Sequence, residues 1–256
     1  MKLYSSLAID SQFEINKIKK LDNFTIYEYN DQNSLCLTIE FDDENKLEDI
    51  IIKYLKKFYK LENIKDADSA LVIGLGNTNS TPDSLGPKTL ENVIVTSFIK
   101  GMRKVYTISP NVMGNTGIPT TTIIESLVKT IKPKFLIVID ALASSSIQRV
   151  NQVVQISNMG ISPGSGLEKK KKKICKKDLH IPVIAIGIPT VVDASTIVLE
   201  TVKYLNVSSK DVKSIISNIN FNHLVTPKDI DFKIEKLSYI LGSAINKSLH
   251  RRLTNN

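Results

Sequence analysis

Cysteine, histidine and long apolar runs are all scarce in this chain, and each scarcity removes a class of function. The two cysteines, Cys36 and Cys175, lie far apart and show no Cys-x-x-Cys spacing. A disulfide framework is not expected, and reduced thiols in a cytoplasmic compartment fit better. A catalytic cysteine wants a histidine partner, and His180, near Cys175, falls in a lysine-rich stretch that reads as a loop. The remaining histidines are His223 and His250, the latter close to the tail. No His-Glu-x-x-His occurs, so a zincin-type zinc site is not indicated. No Gly-x-Ser-x-Gly elbow occurs either, because Gly164-Ser-Gly166 lacks the spacing. No apolar stretch approaches the ~20 residues that span a bilayer. The opening Met1-Lys-Leu-Tyr-Ser-Ser6 has no apolar signal-peptide core, so the chain is expected to remain where it is made.

What is present suits one folded unit. A length of 256 residues with 42% hydrophobic and 23% charged residues buries a sizeable core without disulfides or metals. The net charge of +8 raises the question of a nucleic-acid partner. Its distribution argues against one. The segment around Lys169–Lys173, Lys176 and Lys177, less Glu168 and Asp178, supplies +5 of that charge. No stripe of alternating aromatics and bases follows elsewhere, so a solvated loop is the preferred reading and direct nucleic-acid binding is not expected.

Residues 1–66 read as a peripheral hairpin and helix region. Phe24–Tyr29 and Ser34–Phe41 alternate as hairpin strands around Asn30–Asn33, and Asn45–Leu61 has helical spacing. Residues 67–206 read as an α/β core. The short apolar runs Ala70–Gly74, Val105–Ile108, Phe135–Ile139, Val153–Ile156 and Val183–Ile186 suit strands buried on both faces of a parallel sheet. Leu90–Ile99, Ile123–Ile131 and Ser195–Leu205 read as helices between them. Residues 207–256 form a C-terminal helical region, with a helix over Ile230–Leu249. The expected class is α/β, a three-layer sandwich with a mostly parallel central sheet. In such sheets ligands collect beyond the carboxyl ends of the strands.

Two loops then stand out. Gly74-Leu-Gly-Asn77 leads into Thr78–Pro87 and a helix. A dinucleotide fingerprint would need glycine at position 79, where Asn79 stands, and no Gly-Lys-Ser/Thr precedes the helix. Within this loop Asp83 is either a local cap or a functional carboxylate. Asp140 directly follows the five apolar residues Phe135–Ile139 and precedes Ala141-Leu-Ala-Ser-Ser-Ser146. An aspartate ending a buried strand is costly unless paired, hydrogen-bonded or protonated, although an N-cap also accounts for it. If the two strands are neighbours, both carboxylates share one crevice. Two nearby carboxylates resist joint ionisation, so one holds a proton and polarises a carbonyl while the other activates water.

These stretches resemble one family. Ile73-Gly-Leu-Gly-Asn77 with Thr81–Pro87, Val112–Ile118, Ile139–Ala143, Gly160–Gly166, Ile181–Ala194 and Leu224–Lys228 are similar, in order and rough spacing, to blocks of the germination proteases. The resemblance implies an atypical aspartic endopeptidase that degrades small acid-soluble spore proteins when endospores germinate. It implies a fold similar to hydrogenase-maturing endopeptidases, a homotetramer made as a zymogen, and residence in the cytoplasm of the forespore and spore core. It implies proteolysis without a cofactor or metal. The family's proposed catalytic aspartates fall on Asp83 and Asp140. Gly76, Asn77, Thr81 and Gly117 are candidates for orienting site or substrate by loop position. Asp193 is either an N-cap or a third carboxylate.

The chain also departs from the family pattern. Where relatives carry an acidic residue before the self-cleaved leucine, Tyr4-Ser-Ser-Leu-Ala8 has Ser6, so self-activation there is expected to fail. Where relatives carry Ala-Arg-Ser after Ala-Leu-Ala, this chain has Ser144-Ser-Ser146, removing a cation near Asp140. Two alternatives follow: a metal-sensing maturation-type peptidase on the same fold, and an inactive binding paralogue.

Overall fold

The computed structural model describes residues 5–10, 14–31, 34–163, 172–202 and 223–250. The polar N-terminal third forms an antiparallel meander of β1 (Lys17–Leu21), β2 (Phe24–Asp31) and β3 (Ser34–Phe41), with Phe24 paired to Phe41 and Asp31 to Ser34. Helix α1 (Leu47–Leu61) follows and buries Leu47, Ile51, Tyr54, Leu55 and Phe58 along one stripe. It stops in a Schellman arrangement. Asn63 takes positive φ, its N–H reaches the Lys60 carbonyl, and the Ile64 N–H reaches that of Tyr59.

The core elements come next: β4 (Ala70–Gly74), α2 (Leu85–Glu91), β5 (Val105–Ile108), α3 (Met113–Thr116), α4 (Thr120–Ile131), β6 (Phe135–Ser144), β7 (Val153–Ser157), α5 (Lys176–Leu179), β8 (Val183–Asp193) and α6 (Ala194–Val202). The two-residue β9 (Leu224–Val225) and the long α7 (Ile230–Leu249) complete the described elements. All nine strands lie in one sheet of order β1-β2-β3-β7-β8-β6-β4-β5, with β9 on the end of β8. Helices α1, α2 and α7 cover the face presenting Phe135, Ile137 and Ile139. Ile124, Leu127 and Val128 of α4 cover the face presenting Leu136 and Val138. The result is an α/β sandwich with helices on both faces.

Three features differ from the sequence reading. First, the sheet is mixed. It is parallel across β5-β4-β6-β8, whereas β7 runs antiparallel between β3 and β8, so the meander continues the same sheet rather than sitting at its periphery. An apolar run buried on both faces carries no mark of strand direction. Second, the helix expected at Leu90–Ile99 is α2, ending at Glu91. Val93, Ile94, Val95 and Thr96 are β-branched and lose side-chain freedom in a helix. Asn246 of α7 holds this stretch open, accepting from the Ile94 N–H at 2.8 Å and donating to the Asn92 carbonyl at 2.8 Å. Third, β6 and β8 run past their apolar cores and pair as far as Ser144 with Val192, through an irregularity at Leu142/Ala143. Asp140 therefore lies inside a strand, not in a loop. Within the described residues α6 ends at Val202, and the remainder of the helix expected to reach Leu205, like the glycine motif at 164–166 and most of the lysine run, lies outside them.

Candidate active site

The chain leaves β4 toward β5 on one side and reaches β6 on the other. The carboxyl end of β4 is thus a topological switch point, where crevices open in doubly wound sheets. The loop Gly74–Pro87 turns back on itself there. The Asn77 N–H donates to the Asp83 carbonyl at 3.1 Å, Ser80 N–H to Asn77 at 3.1 Å, and Asp83 N–H to Ser80 at 2.8 Å. Residues Thr81–Asp83 form a single 3-10 turn, with the Ser84 hydroxyl on the Thr81 carbonyl at 2.8 Å. Gly76 has φ +119°, and a Cβ there would strike the Asp83 carbonyl and come within 3.3 Å of its Oδ1. Only glycine allows that conformation and that approach. From the β8 side, the Thr190 hydroxyl donates to the Pro82 carbonyl at 2.6 Å, and the Thr226 hydroxyl donates to the Thr190 carbonyl at 2.8 Å. The turn carrying Asp83 is held from both flanks.

Asp140 approaches the same strand end along β6. The Ile139 carbonyl accepts from the Leu75 N–H at 2.8 Å, and Asp140 is the next residue, paired with Gly187 of β8. By strand alternation it shares the face of Leu136 and Val138. It is 7% exposed. The turn carrying Asp83 contacts α7 and α2 and meets Gly76, while Asp140 follows the residue whose carbonyl accepts from Leu75. Burial raises the pKa of Asp83 above the usual carboxylate value, and a hydrogen bond from the Asn77 backbone offsets part of that rise.

The other expected residues divide. Asn77 belongs to the site's frame: its Oδ1 accepts from the Asn79 N–H at 3.0 Å and from Asn115 Nδ2 at 3.2 Å. Asn115 also donates to Asn111 Oδ1 at 3.0 Å, tethering the loop after β5 to the loop after β4. Thr81 contributes its carbonyl to the Ser84 cap. Gly117, with φ +70°, ends α3, and its own Cα faces open space. Asp193 sits six residues beyond Gly187 along β8, roughly 20 Å at the ordinary rise of a strand. Its Oδ1 accepts from the Ser195 N–H at 2.8 Å and from the Ser195 hydroxyl, which caps α6. Asp193 is the cap, not a third carboxylate of the crevice.

Cys36 is buried and its thiol is pushed up to about 12, which leaves it inert as a nucleophile. Cys175 Sγ donates to Asp178 at 3.2 Å. Lys172, at the described edge of the lysine run, pairs with Glu125 at 2.5 Å. Among the described residues no three His, Cys, Asp or Glu side chains cluster as a metal site, and no helix is long and apolar enough to cross a membrane.

One constellation was missed from sequence. The segment Ser5–Asp10 docks against the extended part of β6. Ser6 N–H donates to the Ala143 carbonyl at 2.9 Å, Ala8 N–H to Gln155 Oε1 at 2.7 Å, and Leu7 packs on Leu142 and Val153. The Asp10 carboxylate, 1% exposed, accepts from Arg149 Nη1 at 2.7 Å, the Ser145 N–H at 2.8 Å and the Ser5 hydroxyl at 2.5 Å. Arg149 also binds Glu40 at 2.9 Å. Contacts spanning 139 positions leave no local pattern to read. The serines that stand where a cation was looked for thus help to hold Asp10.

A family model described as germination protease matches residues 36–209. A germination protease of Geobacillus sp. (strain WCH70) is 36% identical over 273 residues, covering 82% of this chain and 73% of that protein. That of Clostridium tetani is 37% identical, covering 85% and 79%. That of Caldanaerobacter subterraneus is 38% identical, covering 81% and 74%. Among solved structures, a nickel–iron hydrogenase maturation protease from Thermococcus kodakarensis KOD1 aligns over 77% of this chain and 98% of its own, at a TM-score of 0.45 and 11% identity.

Proposed function

Since the chain belongs to the germination protease family, we propose that it is an endopeptidase that hydrolyses small acid-soluble spore proteins through Asp83 and Asp140. What supports this reading is that Gly76 meets the turn of Asp83 while its neighbour Leu75 bonds the carbonyl of Ile139, the residue before Asp140, and that burial raises the pKa of Asp83. Asp83 holds a proton and donates a hydrogen bond to the scissile carbonyl. Asp140 takes a proton from water as its oxygen attacks the carbonyl carbon. The tetrahedral intermediate collapses as Asp140 passes that proton to the amide nitrogen, releasing a carboxylic acid and an amine and returning both aspartates to their starting states. Beyond water and the substrate, these steps call on the two aspartates alone.

The same reading places the protein in the spore core, as a homotetramer without a cofactor. Cleavage between Ser6 and Leu7 is not expected, because that peptide is held by Ala143 and a buried Leu7 and lacks the acidic residue before it. The test is cleavage of a purified small acid-soluble spore protein by the unmodified chain and by Asp83→Asn and Asp140→Asn. Both variants are expected to lose cleavage while their circular dichroism is preserved. Cleavage by both at the parent rate removes the mechanism.

A further inference from the structure

The edge of β6 beside Asp140 is incomplete in a specific way. Odd-numbered residues of β6 turn their backbone groups toward β4, and β4 ends at Gly74, opposite Ile139. Beyond that point Leu75 takes the Ile139 carbonyl and Ser6 takes the Ala143 carbonyl. Between them lie the N–H and C=O of Ala141, turned away from β8. No described residue bonds to them. Ala141 is half-buried, its side chain packed against the core, and its backbone pair is a one-residue gap in the pairing of this edge among the described residues.

An unpaired strand edge is a template for an extended chain. The molecule itself illustrates this one position further along, where Ser6 adds to the edge and its neighbour Leu7 fills a pocket against Leu142. The gap is one residue from Asp140 and borders Leu75, whose neighbour Gly76 supports Asp83.

We propose that the peptide substrate docks as a short added strand on β6, with one substrate residue exchanging both backbone hydrogen bonds with Ala141. The Ala141 N–H donates to that residue's carbonyl, and the Ala141 carbonyl accepts its N–H. This inference rests on the proposed peptidase reading and adds to it a binding mode: recognition through the main chain at a fixed register, which presents one peptide bond to Asp140 and Asp83. Because Leu75 and Ser6 close the gap on either side, the register allows a single paired residue, not a long added strand.

The test varies the peptide and leaves the docking edge unaltered. A synthetic peptide spanning the bond cut in a small acid-soluble spore protein is prepared with a single N-methyl group at each position in turn near that bond. Successive N–H groups of an extended strand point in opposite directions, so only one is expected to face Ala141. Methylation there is expected to lower kcat/KM by about tenfold or more, with changes under about threefold at its two neighbours. The same series is measured by fluorescence anisotropy for binding to Asp140→Asn. Cleavage equally sensitive, or insensitive, at every position overturns strand docking while leaving the peptidase reading intact. Binding with single-position sensitivity but no cleavage by the parent chain upholds the docking and overturns the peptidase reading. No binding and no cleavage overturns the docking.

Discussion

Asp83 and Asp10 are both held inside the molecule, and the two sites treat their carboxylates differently. Asp10 is almost fully enclosed, and an arginine, a backbone N–H and a serine hydroxyl meet it. Asp83 is less enclosed, yet among the described residues no cation pairs with it, and its pKa is raised by burial against one backbone hydrogen bond. Burying a charge is tolerated when partners replace its water. A carboxylate left short of partners at a switch point is one poised to carry a proton. The compensation, rather than the burial, separates the anchor from the candidate catalyst.

The comparison breaks most visibly in activity. In the proposed mechanism Asp83 and Asp140 act as a unit, so Asp83→Asn combined with Asp140→Asn is expected to fall no further than either single change, each by about a thousandfold. Multiplicative losses in steady-state cleavage assays would show that they act separately. Arg149→Ala leaves Asp10 enclosed without its cation and should cost about 2–3 kcal/mol in urea unfolding, below the range for a fully buried pair because Arg149 is partly exposed. A loss under about 0.5 kcal/mol, as for a surface pair, would mean that the Ser145 N–H and Ser5 hydroxyl suffice. Gly76→Ala forces φ +119° on a residue with a Cβ and drives the Asp83 turn away, so cleavage should drop at least about tenfold with a stability loss of about 1–3 kcal/mol.

The smallest effect concerns pH. The folded-state pKa of Asp83 is raised, so the stability linked to its proton is fully present below the unfolded carboxylate value and is lost as pH rises through the folded value. Asp83→Asn removes that loss. The variant should unfold at the same or a higher temperature than the parent at neutral pH, with the gap closing in its disfavour toward pH 3. A variant less stable at neutral pH than in acid, relative to the parent, would contradict the sign.

Much of the site was legible because it is local. The glycines of the loop Gly74–Pro87 mark a tight return, and an apolar run ending in Asp140 marks a strand entering a crevice. The two aspartates are 57 positions apart, and the parallel pairing of β4 with β6 brings the segments that carry them to neighbouring strands. What was not legible is set by distant partners. β6 continues past Asp140 because β8 continues beside it. The helix after Pro87 stops at Glu91, where Asn246 meets the backbone. Asp10 looks like an ordinary polar residue until Arg149 arrives from the other half of the chain. Asp193 shows the converse: its strand-end position suggested the site, and its hydrogen bonds to Ser195 make it a cap.

The most direct measurement sets Asp83→Asn beside Asp10→Asn, with spore-protein cleavage and unfolding midpoint determined on the same samples. Asp83→Asn is expected to lose cleavage by about a thousandfold with its unfolding midpoint kept or raised, whereas Asp10→Asn lowers the midpoint and keeps cleavage within about tenfold where it is folded. Asp83→Asn retaining more than about a tenth of the parent cleavage would contradict the proposed mechanism.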